Sequence, residues 1–391
     1  MELLKVIVVG AGRTGFLIAK WLSMKHEVTV VDRNPRILDE ISYALDVFTI
    51  PGDATLPETL KRAEVENADY VIATTDNDQT NIIVCSLSKT LGSPFTIARV
   101  KRIEYLKVWG HGRRTLGVDL MVCAAPLVAE GIVRVMEYPQ LVFFRKLYGD
   151  IYVGMSSSHI KTPWSFKIDD KNIIIATKNM IERSFKKSKT KKVLILGAGE
   201  TGRIVAKMLS AKGKEVKLVE DDFKKANEIA DELDGVTVIA GNPFSDFLWS
   251  EENLSEADIA VVAFDQDYKC FFASALAKEK GIDRVFSMVH RSSHIPLFEK
   301  IGAISFSPEL ETAGKITAAV RGKAVLGVVT RPEFQVYALS GEFLEGTPLE
   351  NLSGIPGPLF RDGRLVLPTP KMKIRKGDIV TVITEGGGMI L

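Results

Sequence analysis

"KVIVVGAGRTGFLIAKWLSMK" at residues 5–25 returns as "KVLILGAGETGRIVAKMLSAK" at residues 192–212. Of the 21 paired positions 12 are identical, and most of the others exchange one aliphatic residue for another. The correspondence continues, with single-residue gaps, from "EVTVVDRN" (27–34) to "EVKLVEDD" (215–222) and from "LDVFTIPGDAT" (45–55) to "LDGVTVIAGNP" (233–243). It extends to "ENADYVIATTDND" (66–78) and "SEADIAVVAFDQD" (255–267). A unit of roughly 130 residues has been duplicated, and a repeat of that length sets the architecture.

Within each copy, short β-branched runs alternate with helical stretches. In the first, strands are expected at 5–9, 28–31, 47–50, 70–73 and 96–100, and helices near 15–24, 35–45, 56–63 and 80–91. This alternation implies βαβ units around a parallel sheet with helices on both faces. The fold class is therefore α/β: two Rossmann-like, doubly wound parallel-sheet units, each followed by a small α+β or β-rich module. The expected boundaries are 1–136 and 192–325 for the large units, 137–181 for a first, shortened small module and 326–391 for the second. Turn signals "SGEF", "RDGR" and "RKGD" punctuate the last of these. Residues 182–191, within the polar and basic run "ERSFKKSKTKK", are expected to be a solvated linker. The apolar stretch "LMVCAAPLVAEGIVRVM" (120–136) is expected to be a helix that packs Leu127 and Val128 against a neighbouring lobe.

Composition narrows the function. At 391 residues, 46% apolar and 26% charged, the chain is of ordinary globular type. Its net charge of +2 gives no reason to expect a nucleic-acid partner. Cys85, Cys123 and Cys270 have neither zinc-site nor disulfide-framework spacing, as expected of reduced thiols in a cytoplasmic protein. No apolar run reaches the ~18 residues of a membrane span. A strand begins within five residues of the start, leaving no room for a signal peptide.

The glycine loops suggest a ligand. Each follows an aliphatic strand, opens a helix, and precedes an acidic residue about 20 positions on. Gly10 allows a tight turn, Gly12 lets backbone approach a pyrophosphate, and Gly15 lets helix and sheet pack closely, with the helix N-terminus facing phosphate. Asp32 ends the second strand, where its carboxylate can accept hydrogen bonds from ribose hydroxyls and disfavour a 2′-phosphate. The second copy keeps Gly197, Gly199, Gly202 and Glu220 but differs at three points. Arg13 is replaced by Glu200, Asp53 by Asn242 and Arg99 by Met288, so either a second nucleotide site or a structural relic fits.

Catalysis does not follow. Neither small module is an obvious substrate domain, and the chain has no Tyr-x-x-x-Lys pair, G-x-S-x-G or P-loop. His290 and His294, in "HRSSH", have a spacing that could ligate metal, but no partner motif accompanies them, and a polar loop is the plainer reading. His111 lies in the basic loop "WGHGRR", and the tail "EGGGMI" (385–390) lacks the residues of a phosphate clamp. Nucleotide binding without catalytic apparatus fits a sensor, in which ligand favours one domain arrangement and a partner reads it.

At "GAGRTG", "VVDRNP", "GDATLPETLKRAEVENADYVIATTDNDQTNI" and "IARV", and again at "GAGETG", "VEDD" and "EADIAVVAFDQD", the chain resembles TrkA-type regulatory subunits of Trk potassium-uptake systems. Those carry tandem RCK (KTN) modules, each an N-lobe and a C-lobe, and "SGEFLEGTPLENL" with "MKIRKGDIVTVI" is similar to the C-lobe. The resemblance implies a cytoplasmic, non-enzymatic regulator binding NAD(H) or ATP/ADP. It also implies a ring, expected to be a tetramer, on the inner face of an integral-membrane potassium-translocating subunit. Gly10, Ala11, Gly12, Arg13, Thr14 and Gly15 would form the phosphate loop, and Asp32, with Arg33 beside it, would hold ribose. Asp53 and Ala54 would border adenine, Thr74, Thr75 and Asp76 would line the far side, and Arg99 would face phosphate. Gly197, Gly199, Glu200, Thr201, Gly202 and Glu220 are the second copy's counterparts. An RCK regulator of another cation channel or antiporter and an NAD-dependent oxidoreductase are the competing readings.

Overall fold

The computed structural model describes residues 3–93, 95–111, 116–156, 164–168, 171–320, 324–331 and 333–385. The first glycine loop joins β1 (Lys5–Val9) to α1 (Arg13–Leu22). There follow β2 (Glu27–Asp32), α2 (Pro35–Ala44), β3 (Phe48–Pro51), α3 (Pro57–Arg62), β4 (Tyr70–Ala73), α4 (Asp78–Thr90), β5 (Phe95–Val100), α5 (Ile103–His111), β6 (Leu120–Cys123) and α6 (Ala124–Met136). The six strands form one parallel sheet in the order β3-β2-β1-β4-β5-β6. Aliphatic runs such as Val6–Val9 are buried because helices cover both faces. Local chemistry sets the helix starts: Asn34 and Asn77 accept the N–H groups of Arg36 and Thr80, and Pro35 stands at the first helical position of α2.

The stretch 120–136 departs from expectation. Its first four residues are the sixth strand, and the helix begins only at Ala124. A strand buried on both faces and a buried helix share the same apolar composition, and no turn residue separates Cys123 from Ala124.

A small antiparallel sheet follows, β7 (Phe143–Tyr148), β8 (Ile151–Ser156), β9 (Ser165–Ile168) and β10 (Lys171–Thr177), ordered β7-β8-β10-β9, and then α7 (Lys178–Ser184). The basic stretch after it is anchored rather than free. Phe185 is buried, Ser188 N–H donates to the Glu137 carbonyl, and Lys191 N–H donates to Asp258.

The second large unit repeats the first. It comprises β11 (Lys192–Leu196), α8 (Glu200–Ser210), β12 (Glu215–Glu220), α9 (Phe223–Glu232), β13 (Val236–Ala240), α10 (Asp246–Glu251), β14 (Ile259–Val262) and α11 (Asp267–Glu279). It ends with β15 (Arg284–Met288), α12 (Ile295–Lys300), β16 (Ile304–Phe306) and α13 (Pro308–Thr317). Its parallel order, β13-β12-β11-β14-β15-β16, matches that of the first sheet. Strands β17 (Val325–Thr330), β18 (Phe334–Ser340), β19 (Ile355–Arg361), β20 (Arg364–Val366) and β21 (Ile379–Glu385) form the last, antiparallel sheet, ordered β17-β18-β21-β19-β20.

The two large lobes share one core. Helix α1 packs against α13, and α6 packs against both α8 and α13. Ile18, Leu22, Val128, Ile132, Val205, Leu209 and Ile316 belong to one continuous buried cluster. The neighbouring lobe that covers α6 is thus the second lobe of the same chain. The small sheets also meet, with Phe143, Val153 and Ile173 packed together with Val336, Phe360 and Ile383.

Candidate functional site

The strand order reverses between β1 and β4, and a parallel sheet opens a crevice at the carboxyl ends of such strands. In the first lobe that crevice has a volume of about 160 Å³ and is lined by Gly10, Asp32, Arg33, Asp53, Ala54, Thr75 and Asp76, together with Gly52, Asn77 and Thr80. Seven of the sequence-derived residues therefore converge on one cleft.

The glycine loop has the geometry that its composition suggests. Gly10 has φ +98°, and a Cβ there would stand 2.8 Å from the Thr75 nitrogen. A Cβ on Gly15 would lie 1.8 Å from the Gly10 carbonyl oxygen, so helix and loop meet only at glycine. At Gly12 a Cβ would meet nothing within 4 Å, so this position opens to solvent and a ligand can approach its backbone. Gly12 caps α1 with no side-chain hydrogen bond, and no acidic residue occupies the helix's first turn. The N–H groups and positive end of α1 are therefore free for an anion. Thr14 is buried, and Arg13 is exposed beside the loop.

Asp32 ties that loop to the second strand. Its Oδ2 accepts the Ala11 N–H at 2.7 Å and its Oδ1 accepts the Asn34 N–H at 2.8 Å. On the opposite wall, Asp53 accepts Arg33 Nη2 at 2.7 Å and both the N–H and hydroxyl of Thr55. These donors, Arg33 first, hold the Asp53 carboxyl down at about 2. Thr74 fastens the turn through its hydroxyl, which donates to the carbonyls of Val9 and Gly10. Arg99 Nη1 donates to the Thr75 carbonyl at 3.2 Å, and burial lowers the affinity of its guanidinium for a proton.

Two residues outside the sequence-derived set, Asn81 and Asp78, organise this wall. Asn81 is fully buried, accepts the N–H and hydroxyl of Thr75, and donates to the carbonyls of Thr75 and Arg99. Asp78 accepts the N–H groups of Lys101 and Arg102, fixing the turn after β5. The repeat carries a signal for Asp78, because its counterpart Asp267 survives and binds the N–H groups of His290 and Arg291 in the same way. His290 also donates to the Phe264 carbonyl and His294 to Asp267, so both histidines brace this turn. No cluster of three metal-ligating side chains occurs among the described residues. His111 ends α5 with its ring against the Lys107 carbonyl, whereas Gly112–Arg114 of its loop and the tail from Gly386 lie outside the described residues.

The second crevice is furnished differently. Gly197 repeats the left-handed turn at φ +99°, Gly202 repeats the close approach of helix to loop, and Thr201 is buried like Thr14. Glu220 accepts the Ala198 N–H at 3.1 Å but is also held by the Lys225 ammonium at 2.5 Å. Phe264 takes the place of Thr75, comes within 2.9 Å of a Cβ built on Gly197, and stacks on Phe244 at 6.2 Å. Gly199 is close to the Ala263 carbonyl, and Glu200 turns away to accept the Ile103 N–H of the first lobe at 2.9 Å. Here a lysine neutralises the acid, and an aromatic ring stands where the first lobe has its cleft.

Duplicated Rossmann-like lobes, one with an open cleft at its switch point beside a helix N-terminus that has no side-chain cap, define the class of protein. The chain belongs to the TrkA-N domain family, which matches residues 6–124 and 193–307. It is 26% identical to the Trk system potassium uptake protein TrkA homolog 1 of Methanosarcina mazei, covering 97% of each chain. It is 25% identical to the Trk system potassium uptake protein TrkA homolog of Archaeoglobus fulgidus, over 98% of this chain and 97% of that one. Among solved structures, the RCK domain of GsuK aligns with a TM-score of 0.65 at 15% identity, over 98% of this chain and 92% of that one. The GsuK channel bound to NAD gives 0.64 at 15% identity, over 98% of this chain and 77% of that one. The human SLO3 gating ring gives 0.53 at 13% identity, over 98% and 99%. These structures share the fold. Among the described residues no helix is long and apolar enough to cross a membrane.

Proposed function

We propose that this chain is a nucleotide-responsive regulatory subunit of potassium uptake, acting on an integral-membrane Trk-type translocating subunit from its cytoplasmic side. The observation that carries the reading is the first cleft, where the N-terminus of α1, which has no side-chain cap and no acidic residue in its first turn, lies beside an Asp32 carboxylate held by the loop itself. Adenine nucleotide, NAD(H) or ATP/ADP, fits this donor set: ribose hydroxyls on Asp32, phosphates over Gly12 and adenine between Ala54 and Thr75. The NAD bound by the GsuK channel, a structure of similar fold, supports the same ligand class. The second crevice, filled by Phe264 and neutralised by Lys225, acts as a structural lobe.

The role is regulatory rather than catalytic. Asp32 and Asp53 are engaged with backbone and guanidinium donors, which suits them to hold a ligand rather than to shuttle a proton. Binding at α1 reaches the second lobe directly, because α1 packs against α13. Equivalent apolar side chains are exposed on both lobes: Ile83 on α4 answers Phe272 on α11, and Val108 on α5 answers Leu297 on α12. A unit with two equivalent adhesive faces can associate head to tail and close into a ring, in keeping with a gating-ring neighbour. Four chains are the proposed closure. Titrating the full-length protein and an Asp32→Ala variant with NADH, NAD, ATP and ADP tests the ligand assignment, and co-purification with the translocating subunit tests the partner.

A further inference from the structure

The first helical residue of each glycine loop points at the other lobe. From the second lobe, Glu200 accepts the N–H of Ile103, which opens α5 directly after β5 and Arg99. The equivalent turn in the second lobe begins at Ser292, whose N–H is taken by Glu309 of its own lobe at 3.1 Å. Arg13 of the first lobe lies within electrostatic reach of that Glu309, a carboxyl that burial pushes up and Arg13 draws down. The arrangement is reciprocal, but the charges are opposite. The second lobe receives a cation from across the interface, and the first receives an anion.

That anion stands at the turn after β5, the strand next to β4 of the cleft. The cleft is lined at the carboxyl ends of β1 to β4, and β5 is the next strand of the sheet beyond β4, on the side to which a ligand crossing the α1 N-terminus from Asp32 extends. Arg99 stands there, bonded to the Thr75 carbonyl and within electrostatic reach of Arg13. Cys123, whose thiol donates to the Lys101 carbonyl at 3.3 Å, feels the charges of both Glu200 and Arg99, so the two flank the same strand ends. A carboxylate fixed by a backbone N–H cannot swing away from a terminal phosphate without giving up that bond. Like charges repel, and a repulsive element is one of the two means by which a site discriminates between ligands.

Resting on the nucleotide reading of the first cleft, we infer that Glu200 selects among adenine nucleotides, rejecting one with a terminal γ-phosphate and admitting ADP or a dinucleotide. Glu200 is a specificity residue supplied to the first cleft by the second lobe. The duplication thereby gives the inactive crevice a function, because its glycine loop edits the ligand of its neighbour.

The test is calorimetry of full-length wild type, Glu200→Gln and Asp32→Ala with ATP, ADP and NAD. Glutamine retains an oxygen to accept the Ile103 N–H and removes only the charge. Wild type is expected to bind ADP more tightly than ATP, and Glu200→Gln to bind ATP about tenfold more tightly, with ADP changed less than twofold. An unchanged ratio of ATP to ADP affinity, or an equal loss of all three ligands, overturns the inference. If wild type binds none of the three, the nucleotide reading itself falls and takes this inference with it. Loss confined to Asp32→Ala leaves that reading standing and isolates the result to Glu200.

Discussion

The Lys225 ammonium stands 2.5 Å from Glu220 Oε2, on a carboxylate only 5% exposed, whereas its counterpart Asp32 in the first lobe accepts, among the described residues, the backbone N–H groups of Ala11 and Asn34. A carboxylate already neutralised by lysine has little left for ribose hydroxyls, and Phe264 adds a steric block. Calorimetry of the full chain is expected to give one adenine nucleotide per chain. A stoichiometry of two would contradict the assignment of the second crevice as a structural lobe.

Val128 on α6 is fully buried in the core that joins the lobes, while Ile83 and Val108 on α4 and α5 are exposed. Val128→Asp would bury an unpaired charge and is expected to cost at least about 3 kcal/mol, read as a lower denaturation midpoint. Ile83→Asp or Val108→Asp is expected to leave that midpoint nearly unchanged and to break the oligomer in light scattering. The opposite pattern would move the assembly face onto α6.

Arg145 on β7 reaches Glu311 on α13 at 2.5 Å, with its guanidinium between the rings of Phe143 and Phe306. Gly131 of α6 makes the notch, since a Cβ there would meet the guanidinium at 2.0 Å. Arg145→Ala takes from the partly buried Glu311 its ion-pair partner and empties the space between the two rings, and the expected loss is about 2 kcal/mol. In a double-mutant cycle with Glu311→Ala, a coupling above about 1 kcal/mol is expected, and additivity would deny the link.

Asp53 titrates near 2, chiefly because Arg33 donates to its carboxylate. A folded-state value below the ordinary carboxylate value favours the charged form, so its contribution to stability is present above about 4 and is lost as pH falls toward 2. The Asp53 carboxyl carbon signal, followed by NMR, is expected to show a midpoint near 2 in wild type. Its midpoint should move up toward 3.8 in Arg33→Ala. A midpoint that ignores the substitution would remove the pair as the cause.

Much of this was legible in the sequence because glycine loops, acidic strand ends and a repeat are local signals. All five strands expected in the first copy are present, their ends shifted by no more than a residue. β6 was hidden because "LMVC" runs into "AAPL" without a breaker. Asn81 was hidden because its partners are backbone groups that meet only once β4, α4 and β5 are assembled. Phe264 reads as an ordinary core residue at a strand end, and only the fold shows its ring lying against Gly197. Glu200 reads as a phosphate-loop neighbour of its own lobe, yet its partner lies 97 positions away in the other lobe.

Asp32→Ala decides whether the first cleft holds a nucleotide. Calorimetry with NADH, NAD, ATP and ADP on the full chain is expected to show adenine nucleotide binding that this substitution weakens at least about tenfold. The loss is expected with no change in oligomeric state by light scattering. Wild-type affinity in Asp32→Ala would contradict the assignment of the first cleft and the sensor built on it.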